Sequence, residues 1–593
     1  MRGRLQMWMI LICVTVTGLL GGGYYVSVSA LTGIFLFGIL FYRMYFQKKI
    51  KAAWDLNMAA IAVLVFAYLI ISLWAVDSGM ALLGFVKFLP LLLFYVLVSG
   101  QPEEREKMIS LLPMLGALMT LFSFLMMQFP VYEEWVSVAG RLAGFFQYPN
   151  TYALFMLVCL IIVLWRMERK SLDWLDVVYA LAGVFGIAMS GSRTVFVLTA
   201  AALVWILIDR LRRRKTSFHM KASETASAGN AKKIGAGKYR TVLVTAAGVL
   251  AVLAATLAVL ALTGNLGVLE RFTQITLSSS TFLGRLLYAK DAIPLILSHP
   301  FGLGYYGYYF IQQSVQTGVY SVVNVHNELL QMFLDVGVIP AVLMCAAVLR
   351  SVFTKRTGGR NRLVLVMILL HSLFDYDLQF LAMGFVLILF LDMRNVKEYK
   401  VPVLTGTVIG LAGAGSLGLA ALGGVSDLQY TSGNPELALR IYSGNTLAEI
   451  QLLTEADTAE KMRERADSLI AGNDCISVAY SARARAKFSE GDVRGFIEDK
   501  LEAIRLAPYQ YDEYIDYLEI LAYCEGQYLE NGNTEDARIC AERAAEIPEM
   551  MDQLREKTSS LAWRIADRPQ VTLSYENLQL IQEMEEMAGE QND

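Results

Sequence analysis

Thr194-Val-Phe-Val-Leu-Thr-Ala-Ala-Ala-Leu-Val-Trp-Ile-Leu-Ile-Asp209 is followed at once by Arg210-Leu-Arg212-Arg213-Arg214-Lys215. An apolar run that ends in a cluster of cations is the mark of a membrane span leaving the bilayer on its cytoplasmic side. The loop 209–240 carries ten basic residues, and its Ala-Ser-Glu-Thr-Ala-Ser-Ala-Gly-Asn-Ala stretch is low in complexity. Working outward, runs that suit roughly 30 Å of hydrocarbon fall near 6–22, 26–44, 58–76, 80–98, 108–129, 151–166, 174–190, 241–262, 329–350, 362–376, 378–392 and 401–423. Only 18% of the chain is charged and 55% is hydrophobic, against about 25% charged in a soluble domain. Met1-Arg-Gly-Arg before the first run imitates a signal peptide, but the many spans behind it make that run the first transmembrane helix.

The alternation of basic loops fixes the parity. With the N-terminus inside, the cytoplasmic loops hold Arg43, Lys48, Lys49 and Lys51, then Arg105 and Lys107, then Arg166, Arg169 and Lys170. The 209–240 loop, Lys355 to Arg362, and Arg394 to Lys400 continue the series. The alternate loops are nearly free of cations, with Arg141, Arg193, Arg271, Arg285 and Lys290 as exceptions. This places 130–150, 190–194, 263–328, the 371–379 corner and 426–593 outside.

The expected fold class is all-α: a polytopic membrane helix bundle of about 12–13 transmembrane helices, followed by an extracytoplasmic helical repeat-like domain. The expected domains are 1–425, with a large external loop at 263–328, and 426–593. The second is sharply acidic, with 34 Asp and Glu against 16 Lys and Arg, so nucleic acid is not an expected partner. In it, Tyr480 to Gly491 and Ile497 to Pro508 read as a helix pair about a glycine turn, and a looser copy runs from Tyr514 to Pro548 around Gly532. Small residues at helical spacing resemble a tetratricopeptide repeat, a module that more often binds a protein partner than catalyses. In the external loop, Leu283, Leu286, Leu287 and Leu297 share a helical face, which suits an interfacial helix. Cys13, Cys159 and Cys345 sit in apolar spans. Cys475, Cys524 and Cys540 lack zinc spacing, and one disulfide among them is conceivable.

Three polar motifs gather on the expected outer side. Arg193 stands in Ser190-Gly-Ser-Arg193-Thr, Arg285 in Gly284-Arg285-Leu-Leu, and His326 in Val325-His326-Asn327-Glu328-Leu329-Leu330. Each has a bland reading: a snorkelling helix-end arginine, a solvated helix face, and a capping or core histidine. Taken together they suit another task. Guanidinium groups hold phosphate oxygens bidentately, and imidazole is the usual general base at neutral pH. Asn327 and Glu328 are candidates for orienting His326 or capping the next helix. His371 and Asp375, in the polar corner His371-Ser-Leu-Phe-Asp375-Tyr-Asp377, are candidates for a second base or an acceptor contact. His299 is read as structural. No metal-ligand constellation, P-loop or nucleophile elbow stands out, and no metal or cofactor is expected.

These motifs carry a resemblance. Gly144-Phe-Phe-Gln-Tyr-Pro149-Asn150-Thr-Tyr-Ala153, then Ser190-Gly-Ser-Arg193, then Gly284-Arg285 with His299-Pro300-Phe-Gly302-Leu-Gly304, then His326-Asn327-Glu328-Leu-Leu-Gln331 with Gly337 occur in order. The set, over roughly 1–400, resembles the O-antigen ligase and polymerase superfamily of bacterial membrane glycosyltransferases. The resemblance implies a multi-pass enzyme of the cytoplasmic (inner) membrane. Such an enzyme passes a glycan from an undecaprenyl-pyrophosphate carrier to a glycan or other hydroxyl acceptor, without a metal. Arg193 and Arg285 would bind the donor pyrophosphate, His326 would be catalytic, and Asn150 would support the site. The rival readings are a lipid-linked glycan transporter or flippase and a non-catalytic membrane scaffold. The span at 401–423 and the external domain depart from many members, so the acceptor stays open.

Overall fold

The computed structural model describes residues 2–167, 173–225 and 279–590. Among them nearly all regular structure is helical, with two short two-stranded ladders. Among the described residues six helices are long and apolar enough to cross a membrane: Val26–Gln47, Ser78–Ser99, Pro102–Met126, Pro149–Met167, Arg193–Arg212 and Val403–Thr431. Five shorter apolar helices accompany them: Leu5–Leu19, Leu56–Ile71, Trp174–Ser190, Val338–Phe353 and Leu381–Phe390. The all-α, polytopic class therefore holds. The expected span at 241–262 and the start of the external loop, 263–278, lie outside the described residues.

One expected span is corrected. Residues 329–350 are not a single helix but Glu328–Val336 and Val338–Phe353, broken at Gly337. Gly337 has φ +79°, and a Cβ there would lie 2.6 Å from the carbonyl oxygen of Pro300. The break is thus enforced by a neighbouring backbone. The interfacial-helix expectation is refined in a similar way. In the helix Ser280–Ser298, Leu283 and Leu287 are buried, while Leu286, Ile293 and Leu297 are exposed. The apolar side chains therefore serve two surfaces rather than one.

Contacts gather the chain into two units. The first takes residues 1–65, 86–276 and 342–420, and the second 66–85, 277–341 and 421–593.

In the first unit, the loops that charge parity assigns to one side meet at one end. Lys49–Ala53 pairs antiparallel with Val396–Lys400. Arg360 grips Glu106 through two bonds of 2.6 and 2.9 Å. Arg105 donates to the Leu391 carbonyl at 3.3 Å, and Arg210 to that of Leu164 at 3.0 Å. The loops of opposite parity, 130–150, 190–194 and 371–379, meet in a separate polar cluster described below. Basic loops in contact with one another are what a shared face of the bilayer requires. In a chain with its own cysteines replaced by serine, Glu398→Cys should react with an impermeant maleimide only after permeabilisation. Val138→Cys should react in intact cells. Labelling of Glu398→Cys in intact cells would reverse the topology.

In the second unit, helix pairs continue to the C-terminus. Ser477–Ser489 and Val493–Leu506 flank a turn at Gly491, and Tyr511–Glu530 and Thr534–Ala545 flank one at Gly532. Phe496, Tyr517, Leu518 and Leu521 are fully buried between them, with Cys540 and Ala544. All six cysteines are free thiols.

Glu525 interrupts this apolar layer. Its side chain is buried and neither carboxylate oxygen has a hydrogen-bond partner. Burial pushes its pKa up from 4.5 to about 7. An acid with a raised folded pKa stabilises the fold least when ionised, so stability should be fullest below pH 4.5 and fall as pH rises towards 7. Glu525→Gln should therefore raise the melting temperature of this region by roughly 5 °C at pH 8 and give no gain at pH 4. An equal gain at both values would remove the ionisation argument.

Candidate functional site

His326 lies at the end of a tightly held loop. The loop 316–325 is pinned by Asp291, which accepts from the Thr317 amide and hydroxyl at 2.8 Å each and from the Tyr320 hydroxyl at 3.0 Å. Gln312 adds a reciprocal pair to the backbone of Val322, at 2.7 and 3.1 Å. Beyond His326, Asn327 caps the helix Glu328–Val336, its Oδ1 accepting from the Leu330 amide at 3.1 Å. Gln331 accepts from the Val325 amide at 2.8 Å and donates to Asp335 at 2.8 Å. Asp335 in turn receives the Tyr68 hydroxyl at 3.0 Å. A buried, connected chain of this kind fixes backbone position. It runs to the residue just before His326.

The Pro300-Phe-Gly302-Leu-Gly304 segment braces the same helix. Leu303 donates to the Leu334 carbonyl at 2.6 Å and Gly304 to that of Asp335 at 3.0 Å, while Val338 donates back to Pro300 at 2.9 Å. Gly302 has φ +88°, and a Cβ on it would stand 2.7 Å from the Asp335 carbonyl oxygen. The motif glycines are thus places where two backbones touch. The His299 ring meets Ser298 Oγ at 3.0 Å and the Leu295 carbonyl at 3.2 Å, and the His299 carbonyl accepts from the Gly302 amide at 3.0 Å.

The helix Ser280–Ser298 brings Arg285 and Tyr288 to the same place. A cavity of about 210 Å³ is lined by Arg285, Tyr288 and His326, with Ser280, Thr281 and Gly284 from the same helix. Val319, Ile565 and Asp567 complete the wall. The Tyr288 and His326 rings lie 6.0 Å apart, centroid to centroid. Two of the three sequence-derived principals therefore share one cavity, a cation beside an imidazole.

Arg193 belongs to the other unit, at the start of the helix Arg193–Thr225. Next to it in sequence is a polar cluster that takes in Asn150, His371 and Asp375. Arg141 donates to the Ser190 carbonyl and to Asn150 Oδ1, at 2.7 Å each. Asn150 Nδ2 donates to Asp375 at 2.8 Å, and Tyr148 donates to the other oxygen of Asp375 at 2.7 Å. His371 sits 2.6 Å from Asp377, whose second oxygen accepts from Thr151 at 2.9 Å. Asn150 and Asp375 thus share one hydrogen-bonded set, His371 pairs with Asp377 in a second set carried by the adjacent residues, and His371 and both aspartates are fully buried. Glu328, at the start of its helix, is also buried.

Sequence reasoning left out several members. Arg141 could have been found, since it breaks the charge rule on the outer side as Arg193 does. Asp377 was passed over for its neighbour Asp375. Lys87, in the middle of the helix Ser78–Ser99, is 2% exposed with its ammonium 4.6 Å from the Tyr24 ring centroid. An ionisable group at that depth is a signal in itself. Asp567 had no local signal at all.

Residues 177–345 match the family model described as O-Antigen ligase. The match takes in Arg193, Arg285 and His326 and ends before the polar corner at 371–377. No curated protein and no solved structure matches the chain. Residues 177–345 therefore carry a stretch similar to O-antigen ligases, the family that the ordered motifs resemble.

Proposed function

We propose that the chain transfers a glycan from an undecaprenyl-pyrophosphate carrier to a glycan or other hydroxyl acceptor, on the outer face of a bacterial cytoplasmic membrane. The observation that carries this reading is the joint presence of Arg285 and His326 in one cavity within the family-matched stretch. In the step proposed, the acceptor oxygen attacks the anomeric carbon, and the bond from that carbon to the phosphate oxygen breaks. The lipid pyrophosphate leaves with the electron pair, and the hydroxyl proton passes to His326. Arg285 and Arg193 are the cations assigned to the departing pyrophosphate, whose charge grows as the bond breaks. No metal is assigned a part in this scheme. Asn150, His371 and Asp375 form a supporting polar corner. The helix pairs beyond residue 426 are read as a tetratricopeptide-like module facing the outside, open to a protein partner.

The test uses the purified full-length protein with an undecaprenyl-pyrophosphate oligosaccharide and a candidate acceptor, with and without chelator. New glycosidic bonds, seen as a shift or ladder on a gel, are the expected result. Loss of activity on chelation would remove the metal-free scheme. Movement of the lipid-linked glycan across a bilayer without any new bond would replace the transferase with a flippase.

A further inference from the structure

We propose that Asp567 is a specificity-determining residue of this pocket, contributed by the C-terminal region to bind the hydroxyl groups of the acceptor glycan. This rests on reading the cavity as the site of transfer. Asp567 is 241 positions beyond His326 in the chain, yet both line the same cavity.

The segment that delivers it is firmly seated. Ala562 and Ile565 are buried against Leu283, Leu287 and Tyr320. The Ala566 amide donates to Ser280 Oγ at 2.8 Å, and the Ser559 amide to the Thr317 carbonyl at 2.8 Å. A Cβ on Gly318 would stand 2.4 Å from the Ala562 Cβ, so the loop leading to His326 and this segment are in close contact. Val319 packs on Tyr509, Leu554 and Val571 from the same C-terminal region. Two apolar patches and two backbone hydrogen bonds hold a short turn in place, with Asp567 exposed at its rim.

The charge of this residue decides its role. A carboxylate repels a pyrophosphate, so the Asp567 side of the pocket is unsuited to the donor's charged part, which Arg285 is suited to take. A carboxylate accepts hydrogen bonds only, and sugar hydroxyls are donors in need of acceptors. The cavity has the space of about seven liquid waters, the size class of one sugar ring. A neutral, hydroxyl-rich ring resting on Asp567 would present a hydroxyl to His326 across the same cavity. Sites built to hydrogen-bond a hydroxyl reject analogues that lack it far more sharply than apolar pockets reject a change of size. The C-terminal region would then choose the acceptor within the pocket itself.

The experiment measures binding and transfer separately on the full-length protein. The binding probe is the delipidated repeat-unit oligosaccharide, released by mild acid from the host's lipid-linked glycan. Asp567→Ala should weaken binding of this probe about tenfold or more and raise the acceptor KM to match. Donor binding and kcat at saturating acceptor should stay near the wild-type values. Asp567→Asn, which keeps shape and one acceptor oxygen, should fall between the two, and unchanged melting curves would show that both variants fold. Equal binding by wild type and Asp567→Ala, or no binding by wild type, overturns the proposal. Asp567-dependent binding with no transfer by the wild type would instead leave the acceptor site standing and remove the transferase reading.

Discussion

His326→Ala is expected to lower the rate of transfer by about 10²–10⁴-fold while leaving donor affinity within a few-fold of wild type, the range typical of a lost general base. Its setting favours such a split. The backbone on either side is held by groups other than the imidazole: Asp291 and Gln312 before it, and the Asn327 cap and the Gln331–Asp335–Tyr68 chain after it. Removing the ring leaves those bonds intact, so the loop should keep its course. A purely structural histidine would behave differently, with its loss appearing as a lower melting temperature and a weaker grip on both substrates. An unchanged rate in His326→Ala would remove the imidazole from the mechanism.

How far the chain could be read in advance differs from one part to another, and the reasons are physical. The apolar helices were legible because hydrocarbon thickness acts on short, contiguous stretches. The contacts of Lys49–Ala53 with Val396–Lys400, and of Arg360 with Glu106, repeat the grouping that Lys and Arg counting gives. The helix pairs about Gly491 and Gly532 were legible for the same local reason. The break at Gly337 was passed over although Asp335, Gly337 and Pro340 stand within Leu329 to Arg350, because the apolar residues around them dominate the hydropathy. The break comes from Pro300 and Phe301, some 35 positions away, pressing on the glycine. The site was half legible. Arg285 and His326 stood out by type and motif, and they share a cavity. Asp567 and Tyr288 did not, because an aspartate in an acidic domain and a tyrosine among twenty-nine carry no contrast. Buried pairs such as His371 with Asp377 show the same limit: proximity in the sequence suggested a cluster, but only the fold decides which carboxylate meets the imidazole.

Arg193→Lys and Arg285→Lys are each expected to weaken donor binding by about 10- to 100-fold, the equivalent of one lost charge-assisted hydrogen bond at roughly 1.5–3 kcal/mol. The lysine variants are more informative than alanine because they hold the charge constant. A guanidinium offers two parallel donors to a phosphate, whereas an ammonium is a point charge on a flexible stem. The bland alternative for Arg193 is a helix-end cation reaching lipid headgroups, a role that lysine fills as well as arginine. Under that alternative Arg193→Lys is silent. For Arg285 the alternative is a solvated helix face, but its place beside His326 in a cavity argues for a ligand. The measurement is the affinity of the purified protein for undecaprenyl pyrophosphate itself, which carries the phosphates without the glycan, read at two salt concentrations. Both variants should bind more weakly at each concentration. Unchanged affinity in Arg193→Lys would return that residue to the membrane surface and leave Arg285 as the donor's cation in this scheme. Unchanged affinity in both would mean that the pyrophosphate is held elsewhere, with Arg141 and Lys87 the next cations to test.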